Sequence, residues 1–175
     1  MLGGTRSVLR LIAIAMAWCV AGATAPVAAD PLPKTQGEIL LTIKGAITQG
    51  NGDGQAFFDL SMLEALPTQQ LTTETPWTEG RHVFTGVTLD ALMARVGAQG
   101  KTVTADALND YSADIPIDDG VKHGALVAYF LDGKPMLPSD RGPLWIVYPF
   151  SAHPELRTET YYVRAIWNLF ELTVH

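Results

Sequence analysis

The run at residues 144–148 (LWIVY) constrains the fold more than any other stretch of this sequence. Five consecutive large apolar residues cannot alternate between core and water. They fit a strand buried on both faces, in a sheet covered on both sides. Leu126–Leu131 (LVAYFL) reads as another strand, and Asp132-Gly133 is a hairpin signal leading into Lys134, Pro135 and Met136. Two-residue alternation predicts further strands at 38–47, where Ile39, Leu41 and Ile43 share a face, and at Thr102–Ala107. Residues 71–77 are threonine-rich and expected to be extended, and 161–174 extended in part.

Helical signals are short. Residues 57–66 hold a helix with Ser61 and Glu64 as a capping box and Pro67 as the stop. Thr88 precedes a second helix with Leu89, Leu92, Met93 and Val96 on one face and Gly97 at its end. Strands and short helices without regular βαβ alternation predict an α+β domain with a mixed or antiparallel sheet. Its expected core is Leu126, Val127, Leu144, Ile146, Tyr148 and Trp167, faced by the second helix. The glycine-rich stretch 49–55 is a turn. It lacks the acidic residue of a calcium loop, because Leu60 stands in that place.

The N-terminus follows an export pattern. Arg6 and Arg10 precede an apolar stretch at 11–23, and Val27, Ala28 and Ala29 supply small residues before Asp30. Residues 1–29 are therefore expected to be a signal peptide and 30–175 a single domain, periplasmic or secreted. Cleavage would remove Cys19, the one cysteine, and with it any thiolate ligand or nucleophile. It would also remove Arg6 and Arg10 and no acid, taking the net charge from −6 to −8. Such a domain is unsuited to nucleic acid or anionic lipid. No later apolar run is long enough to span a bilayer.

Catalytic motifs are sparse. There is no GxSxG, P-loop, HExxH or CxxC pattern, and His82, His123, His153 and His175 lie too far apart in sequence to imply a metal site. Asp118-Asp119 beside Gly120 marks a turn or helix start. Between residues 134 and 164, Lys134, Arg141, His153, Arg157 and Arg164 are interleaved with Trp145, Tyr148, Tyr161 and Tyr162. Such a mixture can hold a planar anionic ligand by charge and stacking. It equally fits core aromatics beside solvated cations paired with Asp140, Glu155 and Glu159.

Five segments in order resemble the oxidoreductase molybdopterin-binding domain, the fold of sulfite oxidase. They are GEILLTIKGAI with FFDLSMLEALP, then FTGVTLDALMARVGA, ALNDYSADIPI, ALVAYFLDGKPMLPSDRGPLWIVYP and YYVRAIWNLFELTV. The resemblance implies a sulfite oxidase-like α+β fold and a molybdopterin-dependent oxidoreductase ancestry. In that family a cysteine before the aromatic-x-Gly segment ligates molybdenum; the matching stretch here is LTTETPW, placing Thr73, Glu74 or Thr75 at that position. A threonine hydroxyl is a harder and far less acidic ligand than a thiolate. The family's upstream pterin-contacting segment, with its histidine, also has no counterpart between residue 30 and the first strand.

The leading expectation is an exported, non-catalytic domain that binds a small anionic ligand or serves as a sensing or accessory protein, with an envelope or signalling protein as partner. On the resemblance, Asn109, Tyr111, Arg141, His153 and Arg164 are the candidate ligand-binding residues, expected on one concave surface. No metal ligand is assigned and no cofactor is expected, although the resemblance leaves molybdopterin open. One alternative is a periplasmic molybdopterin oxidoreductase with a non-cysteine metal sphere, and a second is a structural interaction module. The export reading predicts a mature N-terminus at Asp30. Mass spectrometry of the protein recovered outside the cytoplasm checks it, and a chain still carrying Cys19 would refute it.

Overall fold

The computed structural model describes residues 31–175, so the expected signal peptide lies outside the described residues. The 144–148 run forms strand β9 (Leu144–Val147), and its neighbours explain the sequence pattern. Leu144, Ile146 and Tyr148 enter the larger apolar cluster, while Trp145 and Val147 enter a smaller one with Phe84, Leu126, Ala128 and Met136. The sheet is therefore covered on both faces at this strand, as a uniformly apolar run requires.

The other strands in chain order are β1 (Leu41–Gly45), β2 (Ala56–Phe58), β3 (Thr68–Thr73), β4 (His82–Thr88), β5 (Thr102–Ala107), β6 (Ser112–Pro116), β7 (Leu126–Leu131), β8 (Lys134–Pro135) and β10 (Trp167–Val174). They form one mixed sheet in the order β2-β1-β10-β9-β7-β4-β3. On its margins β5 bridges β10 and β6, and β8 pairs with β7. The β1–β10 pair is parallel; the other named pairs are antiparallel. Four short helices complete the domain: α1 (Leu60–Glu64), α2 (Leu89–Arg95), α3 (Asp119–His123) and α4 (Glu159–Arg164). Leu89, Leu92 and Met93 of α2, with Val96 just after it, are buried in the larger cluster, the face anticipated from their spacing.

Strand β10 is the junction of the sheet. It pairs with β9 through Trp167 and Leu169 and with β1 through residues 171–174, while β5 takes its other edge from Leu169 onward. Two register shifts, between 167 and 169 and between 169 and 171, let one strand serve three partners. Asn168 makes the first shift possible. It is 6% exposed and lies in the left-handed region at φ +57°, a conformation asparagine tolerates better than most residues. Its N–H donates to the Arg141 carbonyl (3.0 Å), and its carbonyl accepts from Leu108 N–H (2.9 Å). Its side-chain amide donates to the carbonyls of Pro138 (2.9 Å) and Gly142.

Several local details differ from the expectations. Residues 57 and 58 belong to β2, and α1 is capped by Asp59 rather than Ser61. Asp59 Oδ1 accepts from Met62 N–H (3.0 Å) and the Ser61 hydroxyl (2.7 Å), and Oδ2 accepts from the N–H groups of Gln36 (2.7 Å) and Gly37 (3.0 Å). These donors, the Ser61 hydroxyl foremost, hold the Asp59 carboxyl well below the usual carboxylate range. Ile39 is exposed because β1 begins only at Leu41. The extended part of 161–174 is β10, Trp167–Val174, and residues 161–164 are helical within α4. The Tyr161 and Tyr162 rings pack against the core from one helical turn, so packing overrides their strand propensity. Trp167 is only partly buried, because it sits at the rim of the smaller cluster.

Asn168→Ala should destabilise the domain by about 2–4 kcal/mol, since it strands two carbonyls and places alanine in the left-handed region. Chemical unfolding checks this, and a loss under about 0.5 kcal/mol, the size of an ordinary surface change, would show that the junction does not depend on it.

Candidate functional site

The β3–β4 loop and the connection from β9 to α4 meet at the end of β3, and this meeting places the LTTETPW segment. Thr73, the last residue of β3, is fully buried. Its Oγ1 accepts from Ser151 N–H (3.0 Å) and has its one proton to give to the Glu74 carbonyl (3.1 Å) or Ser151 Oγ (3.3 Å). Ser151 Oγ in turn accepts from Glu74 N–H (2.9 Å). The two hydroxyl residues thus clasp the two loops reciprocally. Thr75 is also buried. Its Oγ1 accepts from Trp77 N–H (3.2 Å) and bonds Thr78 Oγ1 (2.9 Å), which sets the turn that presents Trp77. Only Glu74 of the three faces water. Its carboxylate lies 3.6 Å from Arg81 and 3.9 Å from Arg157, both exposed, so these wide pairs contribute little stability.

Next to Trp77 lies an aromatic recess of about 290 Å³, lined by Trp77, Asn109, Tyr111, Tyr162 and Trp167 with apolar residues at and just past the end of α4. Trp77 meets Tyr162 edge-on at 6.1 Å and Trp145 at 6.0 Å, so its ring is held from two sides. The Tyr111 hydroxyl donates to the Val163 carbonyl (3.1 Å) and ties the β5–β6 turn to α4. Arg141 donates from Nη2 to the Trp77 carbonyl (2.6 Å), and its guanidinium lies 5.7 Å from the Trp145 ring. A cation therefore stands behind the recess wall. Its Nη1 also pairs with Asp140 (2.9 Å).

The profile of the oxidoreductase molybdopterin binding domain matches residues 53–152 of this sequence. The chain belongs to that family. A comparison with curated proteins finds no match. The matched span contains Thr73, Trp77, Asn109, Tyr111, Arg141 and Ser151, whereas Tyr162 and Trp167 lie beyond it. Family membership accounts for the α+β architecture and its mixed sheet.

The family's metal chemistry does not fit the residues at this position. Thr73 and Thr75 have buried hydroxyls committed to the protein's own backbone and side chains, and Glu74 points to solvent between two arginines. None is a soft anionic donor aimed into a cavity. Among the described residues no cluster of three histidine, cysteine or acidic side chains could hold a metal.

The five candidate ligand residues divide. Asn109 and Tyr111 line the recess, and Arg141 adjoins it through Trp77. Arg164 is committed elsewhere: Nη1 pairs with the buried Asp119 (3.0 Å), whose same oxygen accepts from the Tyr148 hydroxyl (2.8 Å). Burial, with the Asp119 charge, pushes the Tyr148 phenol far above its ordinary value. Arg164 also lies over the Tyr161 ring at 5.5 Å, so it locks α4 to α3. His153 is exposed and pairs with Glu155 (3.0 Å) just past the clasp. No spacing in the sequence relates Trp77 and Trp167. The one hint in sequence was their density of aromatic neighbours.

Ser151→Ala should cost about 1–3 kcal/mol, because it strands Glu74 N–H and loosens the clasp. Thr73→Val should cost a similar amount. The double variant should lose clearly less than the sum, as expected for one shared network. Equilibrium unfolding of the cycle checks this, and strict additivity would refute the clasp.

Proposed function

We propose that this chain is an exported, non-catalytic member of its family that binds a planar polar ring of the pterin type in the aromatic recess, as a sensing or accessory protein. The observation that carries the reading is the burial of Thr73 in its clasp with Ser151 and of Thr75 in its turn, two of the three residues that the resemblance sets at the place of the family's metal-ligating cysteine. Without that ligand the fold keeps a pocket and loses the metal. The recess supports the ligand class. Its volume is small for a ligand site and suits one or two fused rings rather than a long molecule. Trp77, Tyr162 and Trp167 offer stacking and edge contacts, while Asn109 can pair with ring nitrogens and carbonyls through both halves of its amide. Arg141, bonded to the Trp77 carbonyl and paired with Asp140, holds Trp77 in place behind the recess. The expected readout partner is an envelope or signalling protein, because a binding protein without turnover acts only through what it contacts.

Glu74 is the one carboxylate of the LTTETPW segment, is exposed, and keeps a second reading alive, a molybdopterin oxidoreductase with a carboxylate in the metal sphere. One experiment separates the two. The protein is expressed in a host that makes the cofactor, then assayed for molybdenum, dye-linked turnover and binding of neopterin by calorimetry. The expected result is substoichiometric molybdenum, no turnover, and neopterin binding that Trp77→Ala weakens about tenfold or more, the scale of one lost stacking contact. Stoichiometric molybdenum with turnover lost in Glu74→Gln would establish the enzyme instead. Neopterin binding unaffected by Trp77→Ala would remove the recess from the account.

A further inference from the structure

Single exposed apolar side chains are ordinary on a protein surface, but their concentration in one place is not. Among the described residues seven large hydrophobics are exposed, and Ile39, Leu108, Tyr111, Leu137 and Phe170 are five of them. All five line two depressions that share Leu108 and Phe170 and so form one groove. The larger depression measures about 750 Å³ and the smaller about 360 Å³. Leu137 is 64% exposed and Leu108 52% exposed, values far from those of core residues. The groove is separate from the aromatic recess, with which it shares only Tyr111.

The charge around this groove has one sign. Glu38 and Glu64 line the larger part, Asp106 and Asp110 the smaller, and among the described residues no lysine or arginine lines either. The other two acids are already engaged: Asp59 is buried under its four donors, and Glu171 pairs with Lys44. An apolar floor with a carboxylate rim repels anionic lipid and anionic small molecules, and attracts cations attached to apolar groups. The walls are also preformed. Pro135, Pro138 and Pro143 line one side, and Asn168 holds the 138–142 loop by three hydrogen bonds. A rigid groove loses little entropy when filled.

We infer that this groove docks a segment of a partner polypeptide that carries large apolar side chains flanked by lysine or arginine. The apolar side chains fill the space over Leu137, Leu108 and Phe170, and the cations reach Glu38 and Glu64 on one side and Asp106 and Asp110 on the other. The contact needs no ligand in the recess, so this site stands or falls separately from the pterin reading.

The test is calorimetric titration of the protein with a synthetic peptide of alternating leucine and lysine, and with its counterpart carrying glutamate for lysine. The lysine peptide should bind one per chain, and the glutamate peptide should not bind. Leu137→Ser and Phe170→Ser should each weaken binding about tenfold, the effect of losing a central apolar anchor. Leu137 lies in a loop and is exposed, so its variant reads binding even if the strand variant folds poorly. Glu38→Gln combined with Glu64→Gln should weaken binding at low salt and little at high salt. Val121→Ser, at an exposed valine that lines neither depression, should change nothing. Failure of the lysine peptide to bind, equal binding of both peptides, or equal sensitivity to Val121→Ser would overturn the inference. So would a dimer in sedimentation that Phe170→Ser abolishes, which would assign the groove to a second copy. Retention on phosphatidylcholine vesicles lost in Leu137→Ser would assign it to a membrane.

Discussion

The hydrogen bonds of Asn168 are the constraint on which the remaining architecture depends. One strand cannot keep a regular ladder with three partners, because β9, antiparallel, and β1, parallel, follow one another along the same edge of β10. A left-handed residue between Trp167 and Leu169 supplies the change of direction, and only a side chain that satisfies nearby carbonyls makes that conformation inexpensive. The same residue fixes three separate surfaces. It holds the 138–142 loop that walls the apolar groove, anchors Leu108 by accepting from the Leu108 N–H at its own carbonyl, and places Trp167 at the edge of the aromatic recess. Both candidate sites are therefore outgrowths of one sheet junction.

The recess and the Thr73 clasp share a second dependence, on the placement of α4. Arg164 reaches the buried Asp119 and draws α4 against α3, while Tyr111 ties the β5–β6 turn to the adjacent Val163 at the same end of the helix. A buried charge pair of this kind contributes more to fixing orientation than to net stability, since desolvation offsets much of its attraction. Here it fixes which way Tyr162 faces. The helix that carries this wall follows the loop that carries Ser151, so the clasp and the recess are built from one continuous connection between β9 and β10. Thr73, buried at the end of β3 and bonded to Ser151 across this connection, fastens the two loops together.

Much of the fold was legible because burial leaves periodic traces. The apolar run at 144–148, the alternation at Thr102–Ala107 and the helical spacing of Leu89, Leu92 and Met93 each record which faces lose water, and local pattern is enough to state that. Boundaries failed where two signals compete. Asp59 precedes Ser61 and took the cap, because its carboxylate also reaches the backbone of Gln36 and Gly37, more than twenty residues away. Tyr161 and Tyr162 have strand-forming side chains and became helical, because one turn lets both rings meet the core.

The sequence by itself determined the layered α+β architecture, the double-sided cover of β9, the acidic surface and the absence of a cysteine from residues 30–175, since composition and periodicity carry these without reference to distant residues. Only the tertiary structure decided that Arg164 pairs with Asp119 and His153 with Glu155 so that neither lines the recess, that Trp77, Tyr162 and Trp167 meet there beside Asn109 and Tyr111, and that Thr73 is fastened rather than open. The physical reason is range. A cation in sequence shows its charge but not its partner, and the partners of Arg164 and Thr73 lie 45 and 78 residues away. Pairing across such distances is set by strand register and by the turn at Asn168, which no local pattern in the chain encodes.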